Sequence, residues 1–168
     1  MREAIVRWDR AIDRAVDRAR SPSLDGIVYR LSSAADHSLL WHFCGATNAI
    51  ARGNDVGYAV RFGGAMCVES LLTNGVVKTA FQRVRPAEYA DILFSHGLHR
   101  PITSSFPSGH ATAAFCAAQL LGGGPGWYAL AAAVSSTRVY VRLHHASDVA
   151  AGAAFGLVLG AALRRFVR

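Results

Sequence analysis

The chain has 168 residues, 52% of them hydrophobic and 17% charged; it is one domain by length and carries less charge than the roughly 25% of an ordinary soluble domain. Its net charge of +7 rests on 17 Arg and a single Lys, and with no nucleic-acid motif or run of stacking aromatics it points instead to membrane surfaces and phosphate. Three widely spaced cysteines, Cys44, Cys67 and Cys116, form neither a C-x-x-C pair nor an even framework, so they read as small buried hydrophobes.

In chain order, residues 2–20 predict an amphipathic helix. Ile5, Trp8, Ile12, Val16 and Ala19 fall on one face, and Arg alternates with Asp or Glu on the other. Such a helix is too charged to span and suits a membrane interface. The charged N-terminus has no signal-peptide pattern. Ser21-Pro22-Ser23 punctuates the chain, and a short helix over 24–35 follows. The stretch from His37 to Ile50 is mostly apolar. A turn at Arg52-Gly53-Asn54-Asp55 leads to a longer apolar helix, Gly57 to Val77, expected to run on through Lys78 towards Arg83. It carries Arg61, Glu69 and Asn74, so one of its faces must look into protein or water.

Pro86 to Phe106 is the longest irregular stretch, polar and expected outside the hydrocarbon, and loops of that length are usually functional. Helices are predicted over Ser108–Leu121, over Trp127 to about Val141 after a glycine-rich break, and over Asp148–Leu163. The last carries Gly152, Gly156 and Gly160, a ridge suited to close packing within the chain or to a homodimer. Arg164, Arg165 and Arg168 end it at a membrane surface. The expected fold is all-α: a polytopic membrane bundle of about five spans, with residues 1–22 as the interfacial helix and 36–166 as the core of one domain. Several spans fall short of the roughly 20 apolar residues a bilayer asks for. Bilayer thinning accommodates that, and a soluble helical bundle is the competing architecture.

Three motifs carry the chemistry. Lys78 and Arg85 are seven apart, two helical turns, so they can share a face ahead of Pro86. The pair offers a point charge and a planar fork for phosphate. Pro107-Ser108-Gly109-His110 opens a helix: Ser108 is an N-cap, Gly109 allows close backbone approach, and His110 sits in the first turn beside free N–H groups. In the third motif Arg138 can reach phosphate, and His144 lies four residues before Asp148. A carboxylate at that range can orient an imidazole as base or nucleophile. On chemistry alone His144 and His145 both remain candidates. The interleaved Arg and Lys would repel a cation, so no metal is expected.

Together, in this order, the motifs resemble the type 2 phosphatidic acid phosphatase superfamily, whose pattern is K-x6-R-P, P-S-G-H and S-R-x5-H-x3-D. Every fixed position matches except Thr137, which stands in place of the usual Ser and keeps the hydroxyl. The motifs cover 78–148, and the helical spacing extends the likeness from about residue 36 to the C-terminus.

The resemblance implies that Lys78, Arg85, Ser108, Gly109 and Arg138 bind phosphate. It implies that His144 attacks phosphorus to form a phosphohistidine, that Asp148 orients it, and that His110 protonates the departing oxygen. It implies no cofactor. The short chain is similar to small bacterial members of the plasma membrane, and its Arg-rich, Ala-rich composition suits a GC-rich bacterium. The substrate expected is a lipid phosphate: a polyprenyl diphosphate or decaprenylphosphoryl-phosphoribose, with phosphatidic acid and phosphatidylglycerol phosphate as alternatives. Vanadate-dependent peroxidation and a non-catalytic lipid-binding role are the competing readings. Family habit puts the site on the external face, against the positive excess carried by the N-terminal helix.

Overall fold

The computed structural model describes residues 1–86 and 103–168, and these are built from helices. Helix α1 is Arg2–Ala19 and α2 is Pro22–Ala34, which has proline in its first turn and is capped by the Ser21 hydroxyl. A 3-10 turn, Asp36–Ser38, leads into α3, Leu39–Ala51. Helix α4, Val56–Ser70, is capped by Asp55. It continues without a break through a π-helical stretch, Leu71–Val77, and a last turn, Lys78–Ala80. Then come α5, Gly109–Leu120, α6, Pro125–Tyr140, and α7, Ala146–Val167.

The tightest pair is α5 against α7. A Cβ on Gly152 would lie 2.5 Å from the Ser108 carbonyl oxygen, and one on Gly160 would lie 2.6 Å from Gln119 Cβ. A Cβ on Gly156 would overlap the carbonyl of Thr112. The glycine ridge is thus used inside the chain, where only the absence of side chains lets the two backbones meet. Opposite α7, the buried face of α5 joins Trp41 of α3, Phe62 and Met66 of α4 and Val134 of α6 in the main core. A smaller core of Tyr29, Tyr140, Val141 and Leu143 takes Val16 of α1.

Two outer surfaces are apolar. Leu39, Phe43 and Ile50 on α3, and Val56, Val60, Leu71 and Val76 on α4, are exposed. An apolar belt of that extent is foreign to a soluble monomer and suits contact with lipid. Helix α7 is the described element that is long and apolar enough to cross a bilayer by itself. The continuous α4 unit, at 1.5 Å per residue, spans about 37 Å.

Several expectations need correction. The fourth helix stops at Ala80, well before Arg83, and Phe81–Pro86 is extended. The residue before a proline avoids the helical region, and the extended backbone pairs elsewhere: Ser105 N–H donates to the Arg83 carbonyl at 2.9 Å. Lys78 and Arg85 are therefore not joined by two helical turns. Cys44 and Cys116 are buried as expected, but Cys67 is exposed and lines a cavity beside α4. An addition rather than a correction is Asp9, the one buried residue of α1, while Ile5, Trp8 and Ala19 of the expected apolar face are exposed. Most of the polar loop expected over 86–106 lies outside the described residues.

Candidate active site

A cavity of about 670 Å³ opens between α3, α4, α5 and the loop ahead of α7. Six of the eight expected site residues line it: Lys78, Arg85, Gly109, His110, Arg138 and His144. They come from four separate segments of the chain. Asp36, His42, Glu69, Ser70, Asn74 and Thr103 are among the other residues of the wall.

Arg85 is held in place by carbonyls. Its Nε donates to Thr103 O at 3.2 Å, its Nη2 to Ser104 O at 3.1 Å and its Nη1 to Leu143 O at 2.7 Å. The same Nη1 lies 3.1 Å from His144 Nε2. Lys78 reaches the start of α5, where a Cβ on Gly109 would stand 3.4 Å from its Nζ and 3.2 Å from Asn74 Oδ1. Glycine there leaves the approach clear. The π-helical stretch immediately before Lys78 sits where such distortions often do, beside a functional site. Arg138 comes from the last turn of α6, bonded to the Ser32 hydroxyl and 3.7 Å from Asp36.

The loop between α6 and α7 turns sharply through Arg142, whose φ of 56° is left-handed. Leu143 N–H and His144 N–H both donate to the Arg138 carbonyl at 3.1 Å. That turn sends the two adjacent histidines apart. His145 Nε2 lies 3.2 Å from Val84 O, while the His144 ring enters the cavity. His144 Nδ1 lies 2.7 Å from the Ser105 carbonyl oxygen. A carbonyl can only accept, so Nδ1 carries the proton and the Nε2 lone pair faces the cations. Burial holds the His144 pKa well below its ordinary value, and Arg85, Arg138 and Lys78 add to the effect. The ring is therefore neutral, the form that can attack.

Asp148 differs from expectation. His144 precedes the first turn of α7, so the two residues are not stacked along one helix. Asp148 Oδ2 is 3.9 Å from His144 Nδ1 and instead accepts from His145 N–H at 2.9 Å. The hydrogen bond to the imidazole belongs to the Ser105 carbonyl, and Asp148 stands beside the ring without one. Ser108 also lies behind the cavity wall. It is fully buried, its Oγ accepts from Ala111 N–H at 3.4 Å, and its own N–H donates to the Asp148 carbonyl at 3.0 Å.

Two partners escaped the sequence reading. Asp36 Oδ1 lies 2.9 Å from His110 Nε2, placing a carboxylate on that imidazole. Glu69, buried in α4, accepts from the Thr73 hydroxyl at 2.9 Å. By sequence, Glu69 reads only as a charge that needs a protected face. Nothing about Asp36, 74 residues before His110, could have singled it out. Among the described residues, no group of three His, Cys, Asp or Glu side chains is placed to hold a metal ion.

A family model, the PAP2 superfamily, matches residues 58–168. The chain belongs to the PAP2 superfamily. It is a phosphatase of that superfamily. A decaprenylphosphoryl-5-phosphoribose phosphatase of Mycobacterium tuberculosis is 29% identical over 96% of this chain and 92% of its own length. The crystal structure of a transmembrane PAP2 type phosphatidylglycerolphosphate phosphatase from Bacillus subtilis superposes with a TM-score of 0.76. That match covers 97% of this chain and 86% of the other at 24% identity, so it speaks for the fold.

Proposed function

We propose that this PAP2 enzyme removes phosphate from a polyprenyl-linked substrate, through a phosphohistidine on His144 and without a metal. The carrying observation is the His144 ring. Its Nδ1 is anchored 2.7 Å from Ser105 O, and its Nε2 lies 3.1 Å from a guanidinium in a cavity that also holds Lys78 and Arg138. Lys78, Arg85 and Arg138 take the phosphate oxygens, with the Gly109 N–H at the start of α5 beside them. Ser108 supports that turn from behind.

Nε2 of His144 attacks phosphorus, and the bond from phosphorus to the lipid oxygen breaks. His110 gives that oxygen a proton. His110 then takes a proton from water, whose oxygen attacks the phosphohistidine, releasing inorganic phosphate and freeing His144. Fixed cations stabilise the charge that builds on the phosphoryl oxygens in both steps. Asp148 stabilises the imidazole while it carries positive charge.

The substrate reading follows the relative: decaprenylphosphoryl-phosphoribose or a polyprenyl diphosphate, serving cell-wall synthesis. Phosphatidylglycerol phosphate or phosphatidic acid is the second reading, favoured by the likeness to the B. subtilis fold. In the membrane, α3 to α7 make five spans, with the exposed belt of α3 and α4 in lipid. Helix α1 lies in the interface at the end of the bundle that holds the site, on the external side of a bacterial plasma membrane.

The test is phosphate release by detergent-purified protein in EDTA. It compares decaprenylphosphoryl-phosphoribose, polyprenyl diphosphate, phosphatidylglycerol phosphate, phosphatidic acid and a soluble aryl phosphate. Release from a polyprenyl substrate that is lost in His144→Ala supports the proposal. Preference for the glycerolipids moves the substrate to the second reading. Binding without turnover of any of them leaves a lipid-binding role.

A further inference from the structure

The N-terminal helix reaches the catalytic loop through a buried chain of charges. Asp9 is the one buried residue of α1, at 3% exposure. Its Oδ1 accepts from Ser147 N–H at 2.8 Å, and its Oδ2 from the Ser147 hydroxyl at 2.8 Å and from Arg83 Nη2 at 2.7 Å. Arg83 is bidentate across two acids: its Nη1 donates to Asp148 Oδ1 at 2.6 Å and to the Ser147 hydroxyl at 2.7 Å. Asp148 is fully buried and stands 3.9 Å from the His144 ring. Burial pushes the Asp9 carboxyl up, but the bonds from Ser147 and Arg83 outweigh it and hold the pKa below its ordinary value. The acid at the far end of the chain is therefore ionised.

We infer that Asp9 and Arg83 are positioning residues for phosphoryl transfer, acting through Asp148. The inference rests on His144 being the nucleophile. Asp148 makes no hydrogen bond to the imidazole, so its effect depends on where its charge is held. Two donors fix it, His145 N–H on Oδ2 and the Arg83 guanidinium on Oδ1. Arg83 in turn is a long flexible side chain that reaches this position because Asp9 holds its Nη2 and the Ser147 hydroxyl holds its Nη1 beside Asp148. Loss of the Asp9 charge frees the guanidinium to leave Asp148. Binding of substrate phosphate involves other groups, Lys78, Arg85 and Arg138, so the change falls on the chemical step. A phosphatase can hold its nucleophile's supporting acid with residues of its own loop. Here a separate helix supplies the grip, and the site is complete only when α1 is docked.

The experiment measures kcat and KM on the preferred lipid, with rapid-quench formation of the phosphoenzyme, for the full chain carrying Asp9→Asn, Arg83→Met and both. Asp9→Asn keeps the size of the side chain and is expected to lower kcat and the phosphoenzyme formation rate about tenfold, with KM within about twofold. Arg83→Met is expected to lower kcat further, and the double variant to match Arg83→Met alone, because Asp9 acts through Arg83. Ser147→Ala, which removes one hydroxyl from the grip and no charge, covers the case that Arg83→Met does not fold; kcat falls severalfold there. Unchanged kcat in folded Asp9→Asn, or losses that multiply in the double variant, overturns the inference. A wild-type enzyme that releases phosphate without any phosphoenzyme overturns the reading of His144 instead.

Discussion

Helices α5 and α7 meet through what their sequences omit, while α1 meets the catalytic loop through what it supplies. In the first contact three glycines let backbone touch backbone, and packing alone sets the geometry. In the second, Asp9, Asp13 and Asp17 face Arg83 and Arg142. The two contacts hold opposite sides of one turn: Ser108 N–H bonds the Asp148 carbonyl from α5, and Arg83 bonds the Asp148 carboxylate from the side of α1. A rigid apolar seam locates the backbone of the site, and a charged clasp locates its side chains. The seam cannot yield without unfolding, whereas the clasp can be weakened one bond at a time.

Breaking the seam has the largest expected effect. Gly156→Leu places a side chain into the Thr112 carbonyl. A backbone oxygen cannot move aside, so the cost exceeds the roughly 1–3 kcal/mol of ordinary overpacking. Little folded protein is expected from size-exclusion chromatography in detergent. Gly152→Ala meets Ser108 O at 2.5 Å and should shift the Ser-Gly-His turn, lowering both thermal stability and phosphate release.

Next in size is Asp36→Asn. It removes the carboxylate from His110, and kcat should fall by about 10²-fold, the lower end for loss of a general acid. The defect should shrink on an aryl phosphate, whose leaving group needs no proton. An equal defect on both substrates would place Asp36 in structure and not in proton transfer.

Smaller still is Asp13→Asn, which takes one of two acids from Arg142, a guanidinium 1% exposed. Burial raises the Asp13 pKa despite Arg142, so the cost of burying the ionised acid exceeds what the pairing returns. Little change in the unfolding midpoint is expected at neutral pH, because the ionised acid adds no net stability there.

The pH response separates the two acids. Asp9 has a folded pKa below its ordinary 3.8, so it stabilises the fold above that value. Its contribution fades as pH falls through the lower folded value. Asp13, raised above 3.8, has the opposite sign: it favours the fold in acid, and its contribution is lost as pH rises through the raised value. Asp9→Asn should therefore flatten the acid side of the stability profile below pH 3.8, and Asp13→Asn should not. Thermal unfolding between acid and neutral pH measures both.

Much of this was legible in the chain. Apolar spacing located the helices to within a few residues, and six of eight motif residues converge on one cavity. Local patterns carry such information because capping and periodicity act over one or two turns. Asp36, Asp9 and the Ser105 carbonyl were not legible. Each acts across a distance in sequence that no local rule spans, and a backbone carbonyl leaves no trace in residue identity at all. The stop at Ala80 was missed because spacing suggested a shared helical face where Pro86 and the pairing with Ser105 impose an extended one. Residue chemistry alone leaves His144 and His145 level; the resemblance points to His144, and the left-handed turn at Arg142 is what parts the two rings.

The most direct measurement is acid-labile phosphate on the protein, trapped by rapid alkaline quench during turnover of a radiolabelled polyprenyl substrate in EDTA, then mapped by peptide. The account predicts label on the peptide carrying His144, formed no slower than phosphate is released and absent in His144→Ala. Phosphate release at the wild-type rate in His144→Ala, or label on the His110 peptide, would contradict it.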